Sequence, residues 1–146
     1  MTRGKSDALG GGKYLWAPRL ARVWGVLFLI WFGAQWWLSS GDLSQLPGFM
    51  FGLPHFDKVL HFGYFFGGGG LLGAFLFYDR GFSPQRMFWV GIAVLAVVGV
   101  IDEYHQSFYR FRSGNDPFDW LADVIGGSVG LLTFLRWENW RTKSQP

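Results

Sequence analysis

Residues 101–123, I-D-E-Y-H-Q-S-F-Y-R-F-R-S-G-N-D-P-F-D-W-L-A-D, decide how the chain is read. They hold five of the ten carboxylates, one of the three histidines and two arginines. Long apolar runs flank them, at 87–101 and 124–135. A helix that crosses a membrane needs about 20 residues, and 87–101 is too short for that. The helix has to extend past Ile101, which brings Asp102, Glu103 and Gln106 to membrane depth. Asp123 likewise falls a turn inside the next helix if that helix starts near Asp119. Ionisable groups at such depth are costly, which makes each one a functional hypothesis.

Composition agrees. Half of the 146 residues are hydrophobic, 21% are aromatic and only 16% are charged, and the apolar residues come in blocks. This is the pattern of an integral membrane protein and not of a soluble domain. The length suits one domain. The formal charge of +3 gives no indication of nucleic acid as a partner. With no cysteine, a disulfide framework and a thiol nucleophile are excluded.

The expected architecture is all-α: a polytopic bundle of four transmembrane helices. Residues 1–15 read as a disordered basic tail, 16–137 as the membrane domain and 138–146 as a cytoplasmic tail. The first helix covers 23–38 and continues back to Trp16. It is expected to remain uncleaved, because the run is long, rich in tryptophan and followed by no A-x-A-like site. A loop with an interfacial stretch around Phe49–Phe51 fills 39–56. The second helix covers 57–78. Its Gly63/Gly67 and Gly69/Gly73 pairs have the small-xxx-small spacing that lets membrane helices approach closely, and Gly67–Gly70 leaves a bent or unwound segment as the rival reading. The third and fourth helices cover 87–106 and 119–137, with Gly126, Gly127 and Gly130 as a second close-packing face. Trp16, Trp36, Trp37, Trp89, Trp120, Trp137 and Trp140 fall near helix ends, as in an aromatic belt.

Four helices put both termini on one side. That side carries Arg3, Lys5, Lys13, Arg19, Arg22, Arg80, Arg86, Arg136, Arg141 and Lys143, against Lys58, Arg110 and Arg112 on the other. The positive-inside rule makes the termini cytoplasmic. All three histidines (His55, His61 and His105) then lie at the outer face, with Asp42, Asp57, Asp102, Glu103, Asp116, Asp119 and Asp123.

Helical spacing selects the candidate residues. Asp57 and His61, four apart, share a face, so the carboxylate can orient the imidazole as base or ligand. The bland alternative is a helix-end acid beside an interfacial histidine. Asp102, His105 and Gln106 share another face, with Glu103 pointing partly away. Asp116, Asp119 and Asp123 form one stripe; the first two suit helix capping, while Asp123 needs a partner, for which Arg112 is the natural candidate. Six acids and three basic residues in one low-dielectric region cannot all remain ionised and unpaired. The alternatives are shared protons, a charged histidine or a bound cation. A divalent ion suits the oxygen ligands, and His61 or His105 admits zinc or manganese, although no standard metal motif is present. No nucleophile-elbow, Walker or Rossmann pattern occurs.

D-K-V-L-H-F at 57–62, D-E-Y-H-Q-S-F at 102–108 and R-S-G-N-D-P-F-D-W-L-A-D-V-I-G-G-S-V-G at 112–130 together resemble the VanZ-like family of small bacterial membrane proteins. The resemblance covers roughly residues 57–135. It implies a fold of four or five membrane helices. One branch of the family is associated with glycopeptide antibiotic resistance, notably to teicoplanin. Asp57, Lys58, His61, Asp102, Glu103, Gln106, Arg112 and Asp119 match the family's polar signature. Asp123 stands where many members carry Asn.

The expected protein is therefore a multi-pass protein of the plasma membrane with a polar site at the outer leaflet. It binds or modifies a cell-envelope or lipid-linked substrate, a lipid-linked cell-wall precursor among the candidates, with membrane lipids as its surroundings. His61, Asp57, Asp102, Glu103 and Gln106 are the candidate catalytic groups: His61 as base or ligand with Asp57 orienting it, Asp102 and Glu103 as acid/base or cation ligands. Lys58, Arg112, Asp119 and Asp123 are the candidate substrate-binding groups, with Arg112 as anion clamp and Asp119 its partner. The alternative is a non-enzymatic scaffold whose polar cluster is a structural ion-pair network. Ion or proton transport ranks last, because the inner halves of helices two to four are apolar.

Overall fold

The computed structural model describes residues 18–41, 55–110 and 114–144. Four helices account for nearly all of them: α1 (Pro18–Ser39), α2 (Phe56–Ala74), α3 (Pro84–Gln106) and α4 (Pro117–Lys143). No strand occurs among the described residues. Arg112, Asp42, the tail at 1–15 and the interfacial stretch around Phe49–Phe51 lie outside them.

Local chemistry sets the helix ends. Ser83 caps α3 by accepting the Arg86 N–H at 3.4 Å, with Pro84 at the first position, so this helix starts before the expected Met87. Asp116 caps α4 by accepting the Phe118 N–H at 2.8 Å, again with proline at the first position. α4 also continues past the expected end at Trp137 to Lys143, so residues 138–143 are helical. α2 runs unbroken through Gly67–Gly70, which rules out the unwound alternative. Its irregularity comes later. Phe75–Asp79 form one π-helical turn, with the Arg80 N–H reaching the Phe75 carbonyl at 3.3 Å, before Gly81 turns the chain at φ 62°.

Glycines decide the packing. A Cβ on Gly126 would strike the Phe62 carbonyl of α2, one on Gly130 the Phe66 carbonyl, and one on Gly69 the Gly127 carbonyl. The α2 and α4 backbones therefore meet directly, and this is the most extensive helix pair in the bundle. On its other side α4 meets α3 through reciprocal knobs. Leu131 seats on Gly91 and Leu95 seats on Gly127, both leucines fully buried. Of the two small-residue pairs expected in α2, Gly69/Gly73 packs against α4 while Gly63 and Gly67 face open space.

α1 is held to α2 by paired hydrogen bonds. Trp31 Nε1–H donates to the Tyr64 carbonyl at 3.1 Å, and the Tyr64 hydroxyl donates to the Trp31 carbonyl at 3.2 Å. The two rings stack at 5.5 Å.

The outer surface is apolar. Leu29, Ile30, Val59, Val97 and Val100 are all more than half exposed, more bare aliphatic surface than a water-facing bundle shows. The stretches Phe56–Asp79, Pro84–Gln106 and Pro117–Lys143 are long and apolar enough to cross a membrane, and α1 adds the shorter apolar run Val23–Ser39. The secondary structure of the described residues is thus all helical, and the chain has the composition of a membrane-embedded protein. Trp36, Trp37, Trp89, Trp137 and Trp140 are exposed near helix ends, as a belt requires. Trp120 is not part of it: its Nε1–H turns inward to the Ala96 carbonyl at 3.0 Å.

Candidate functional site

The polar residues gather at one end of the bundle, where α1 and α3 end and α2 and α4 begin. Buried there are Gln35, Ser39, Asp102, Glu103, Gln106, Asp119 and Asp123. Two rungs join α2 to α4. In the first, the Lys58 ammonium lies 2.9 Å from an oxygen of each of Asp57, Asp116 and Asp119. In the second, His61 Nδ1 lies 2.9 Å from Asp123 Oδ1. Lys58 and His61 are one helical turn apart, as are Asp119 and Asp123, so the two facing stripes are in register.

These pairings correct one expectation and supply partners that the sequence does not show. His61 is oriented by Asp123, across the helix crossing, and not by its neighbour Asp57, which bonds to Lys58. Asp123 has a histidine partner at Oδ1; the expected pairing of Arg112 with Asp123 or Asp119 falls outside the described residues. Asp119 is held by Lys58. Asp116, outside the helices, has its carboxyl held below the usual carboxylate range, chiefly by the Lys58 ammonium and then by the Phe118 N–H.

Glu103 is central and does not point away. It is 5% exposed, and its Oε2 accepts the Asp116 backbone N–H at 2.8 Å, so it fixes the entry to α4. The left-handed Asn115 (φ 67°) makes that approach, with its N–H on the Glu103 carbonyl at 3.3 Å. Asp102 accepts two donors, the Ser39 hydroxyl from α1 and Gln106 Nε2–H at 2.8 Å. His105 leaves the group and stacks on Trp36, with ring centroids 3.7 Å apart.

A cavity of about 230 Å³ opens beside these residues. Gln35, Ser39, Asp57, His61, Asp102 and Gln106 make its polar wall, and Leu38, Leu60, Tyr64 and Phe65 its apolar wall. The contribution of α1 is absent from the sequence-based candidates. Gln35 is the only polar residue in 23–38, and Ser39 comes one turn later on the same face, which is the signal that could have found it. Chemically, an imidazole backed by a buried carboxylate can accept or donate a proton from its other nitrogen, and the carboxylates can take amines, hydroxyls or a cation. No protein-family model, no curated protein and no solved structure matches this chain.

At the opposite end Glu138, 4% exposed, accepts the Tyr78 hydroxyl and a two-pronged bond from Arg141, Nε at 3.0 Å and the terminal nitrogen at 2.5 Å. Trp24 stacks on Tyr78 at 6.3 Å. This group ties the start of α1 and the end of α2 to α4.

Proposed function

We propose that the chain is a VanZ-like protein of the plasma membrane, with both termini cytoplasmic, that holds the polar end of a cell-envelope or lipid-linked molecule at the outer leaflet. The observation that carries this is the two-faced cavity. Its carboxylates and amides suit a headgroup, and its apolar wall includes Leu38 and Leu60, which are themselves 45% and 41% exposed at the lipid-facing surface. A molecule with a polar end and an acyl or prenyl tail can enter from the membrane side without crossing water. The three motifs at 57–62, 102–108 and 112–130 support the family reading and, with it, a role at the envelope. The excess of Arg and Lys near the termini supports the orientation.

The test is native mass spectrometry of the protein released from its own membrane with lipid still attached. The wild type should carry an envelope or prenyl-linked species that Q35L and D102N lose. Identical lipid complements in all three would refute the reading. A reporter fused after Pro146 should register cytoplasm.

A structural role is favoured for one part of the cluster. Lys58 already has three carboxylates around it, and Asp116 and Asp119 do not line the cavity. That rung serves the bundle. K58M should lower the amount of folded protein, whereas Q35L should not.

A further inference from the structure

Two groups of acidic side chains at this end converge closely enough to hold a cation: Asp57, Asp116 and Asp119, and, deeper, His61, Asp102 and Glu103, whose ligand atoms lie within 4.8 Å of one another. The first group has its cation built in, the Lys58 ammonium at 2.9 Å from each carboxylate. The second has no lysine or arginine among the described residues. We propose that His61, Asp102 and Glu103 form a divalent metal site between α2 and α3, of the zinc or manganese kind.

An independent observation points to a ligand there. Glu103 Oε1 is buried and has no hydrogen-bond partner among the described residues, although its other oxygen accepts the Asp116 N–H. A buried carboxylate oxygen with nothing to accept from is costly, and a metal ion removes that cost.

The surroundings are those of a prepared site. Each candidate ligand is already fixed by a second group: His61 by Asp123, Asp102 by Ser39 and Gln106, Glu103 by the Asp116 N–H. A carboxylate behind the histidine sets the tautomer that leaves the other ring nitrogen for the metal. Charge agrees as well. Asp102, Glu103, Asp119 and Asp123 are all buried, and Lys58 supplies one positive charge, so with a neutral imidazole a divalent ion removes most of the remainder. One nitrogen and two oxygens fit zinc or manganese better than calcium or magnesium, which favour all-oxygen shells. Three protein ligands leave coordination positions free, and two of the three, His61 and Asp102, lie in the cavity wall. The metal would sit in the wall of the same cavity, and its titration is read with no cavity ligand added.

The experiment is manganese titration of the chelator-stripped full chain in nanodiscs, read by loss of the free-ion electron paramagnetic resonance signal, with zinc as competitor. One equivalent should bind and be displaced by zinc. H61A, D102N and E103Q should each abolish saturable binding. D123N, which acts through His61, should weaken it by about 10–100-fold. D79N, on an exposed residue at the far end, should change nothing. Melting curves separate lost binding from lost fold. For any ligand variant that does not fold, the D123N titration decides, and unchanged affinity there overturns the site. Absence of saturable binding in the wild type also overturns it, as does loss confined to D57N and D119N. So does binding that emerges only in R112A, which would assign the Glu103 charge to that arginine.

Discussion

His61 Nδ1 and Asp123 Oδ1 lie 2.9 Å apart across the α2–α4 crossing, and Asp123 is completely buried. The pair sits one turn from Gly126, where an added Cβ would be driven into the Phe62 carbonyl. Packing and polar chemistry are therefore one construction here. The glycines bring the backbones together, and that proximity lets an imidazole on one helix reach a carboxylate on the other.

Removing either partner leaves the other buried and unpaired, so H61A and D123A should each be strongly destabilising, by about 3–5 kcal/mol. The double variant should cost less than their sum, with a coupling of about 1–3 kcal/mol. Reversible unfolding in mixed micelles measures this cycle. Simple additivity would mean the two side chains do not interact.

The glycines give a contrast between two facing helices. G130A places a methyl against the Phe66 carbonyl and the Gly70 nitrogen, both backbone atoms that cannot step aside. It should separate α2 from α4 and cost several kcal/mol, about the scale of severe overpacking. G63A and G67A point into open space and should be neutral, or stabilising by up to about 1 kcal/mol through helix propensity. Thermal unfolding of the three variants decides; equal losses would contradict the packing described.

Gly99 extends the same logic to the site. Its Cβ would lie 2.9 Å from Asp123 Oδ2 and 3.1 Å from Trp120 Cδ1. G99A should disturb the His61–Asp123 pair while leaving the α2–α4 backbone contact intact. Imidazole nitrogen chemical shifts of His61 should change in G99A and stay fixed in G63A.

How far the sequence leads depends on the range of the interaction. The helices are legible from apolar run length, and the end of the bundle holding the polar residues is legible from Asp102, Glu103 and Asp123 intruding on those runs. Partners are not. Spacing along one helix is visible in a sequence and matches Asp57 to His61, whereas the Asp123–His61 bond spans 62 positions and depends on which face of α2 meets α4. The small-xxx-small rule cannot choose between Gly63/Gly67 and Gly69/Gly73, because spacing fixes a stripe but not its neighbour. Glu138 resembles a tail residue because it comes directly after Trp137 in a basic segment, and only the fold supplies Tyr78 to meet it.

That far-end group predicts its own behaviour. Glu138 is shared between Tyr78 and Arg141, so E138A leaves a hydroxyl and a guanidinium without their acceptor in a half-buried place. The loss should be about 2–4 kcal/mol, toward the lower part of the range for broken buried pairs because Arg141 can reach water. Y78F alone should cost about 1 kcal/mol, the net worth of one hydrogen bond. The cavity-end titrations should be unaffected in Y78F, since the two groups sit at opposite ends of the bundle.

Lys58 and Asp116 set a pH dependence whose sign is fixed. The folded Asp116 carboxyl titrates below its reference value of 3.8, first because of the Lys58 ammonium at 2.9 Å and second because of the Phe118 N–H. A depressed folded value means that the stabilisation is fully present above the unfolded value. It disappears as the pH falls through the folded one. The stability advantage of wild type over D116N should therefore be flat from neutrality down to about pH 5 and shrink below about pH 4. Carboxyl carbon-13 titration of Asp116 gives the direct check. The midpoint should lie below 3.8 in the wild type and move only part of the way back in K58M, because the Phe118 N–H still donates. A K58M midpoint equal to the wild-type value would show that the ammonium does not act on Asp116, and the first rung between α2 and α4 would have to be redrawn.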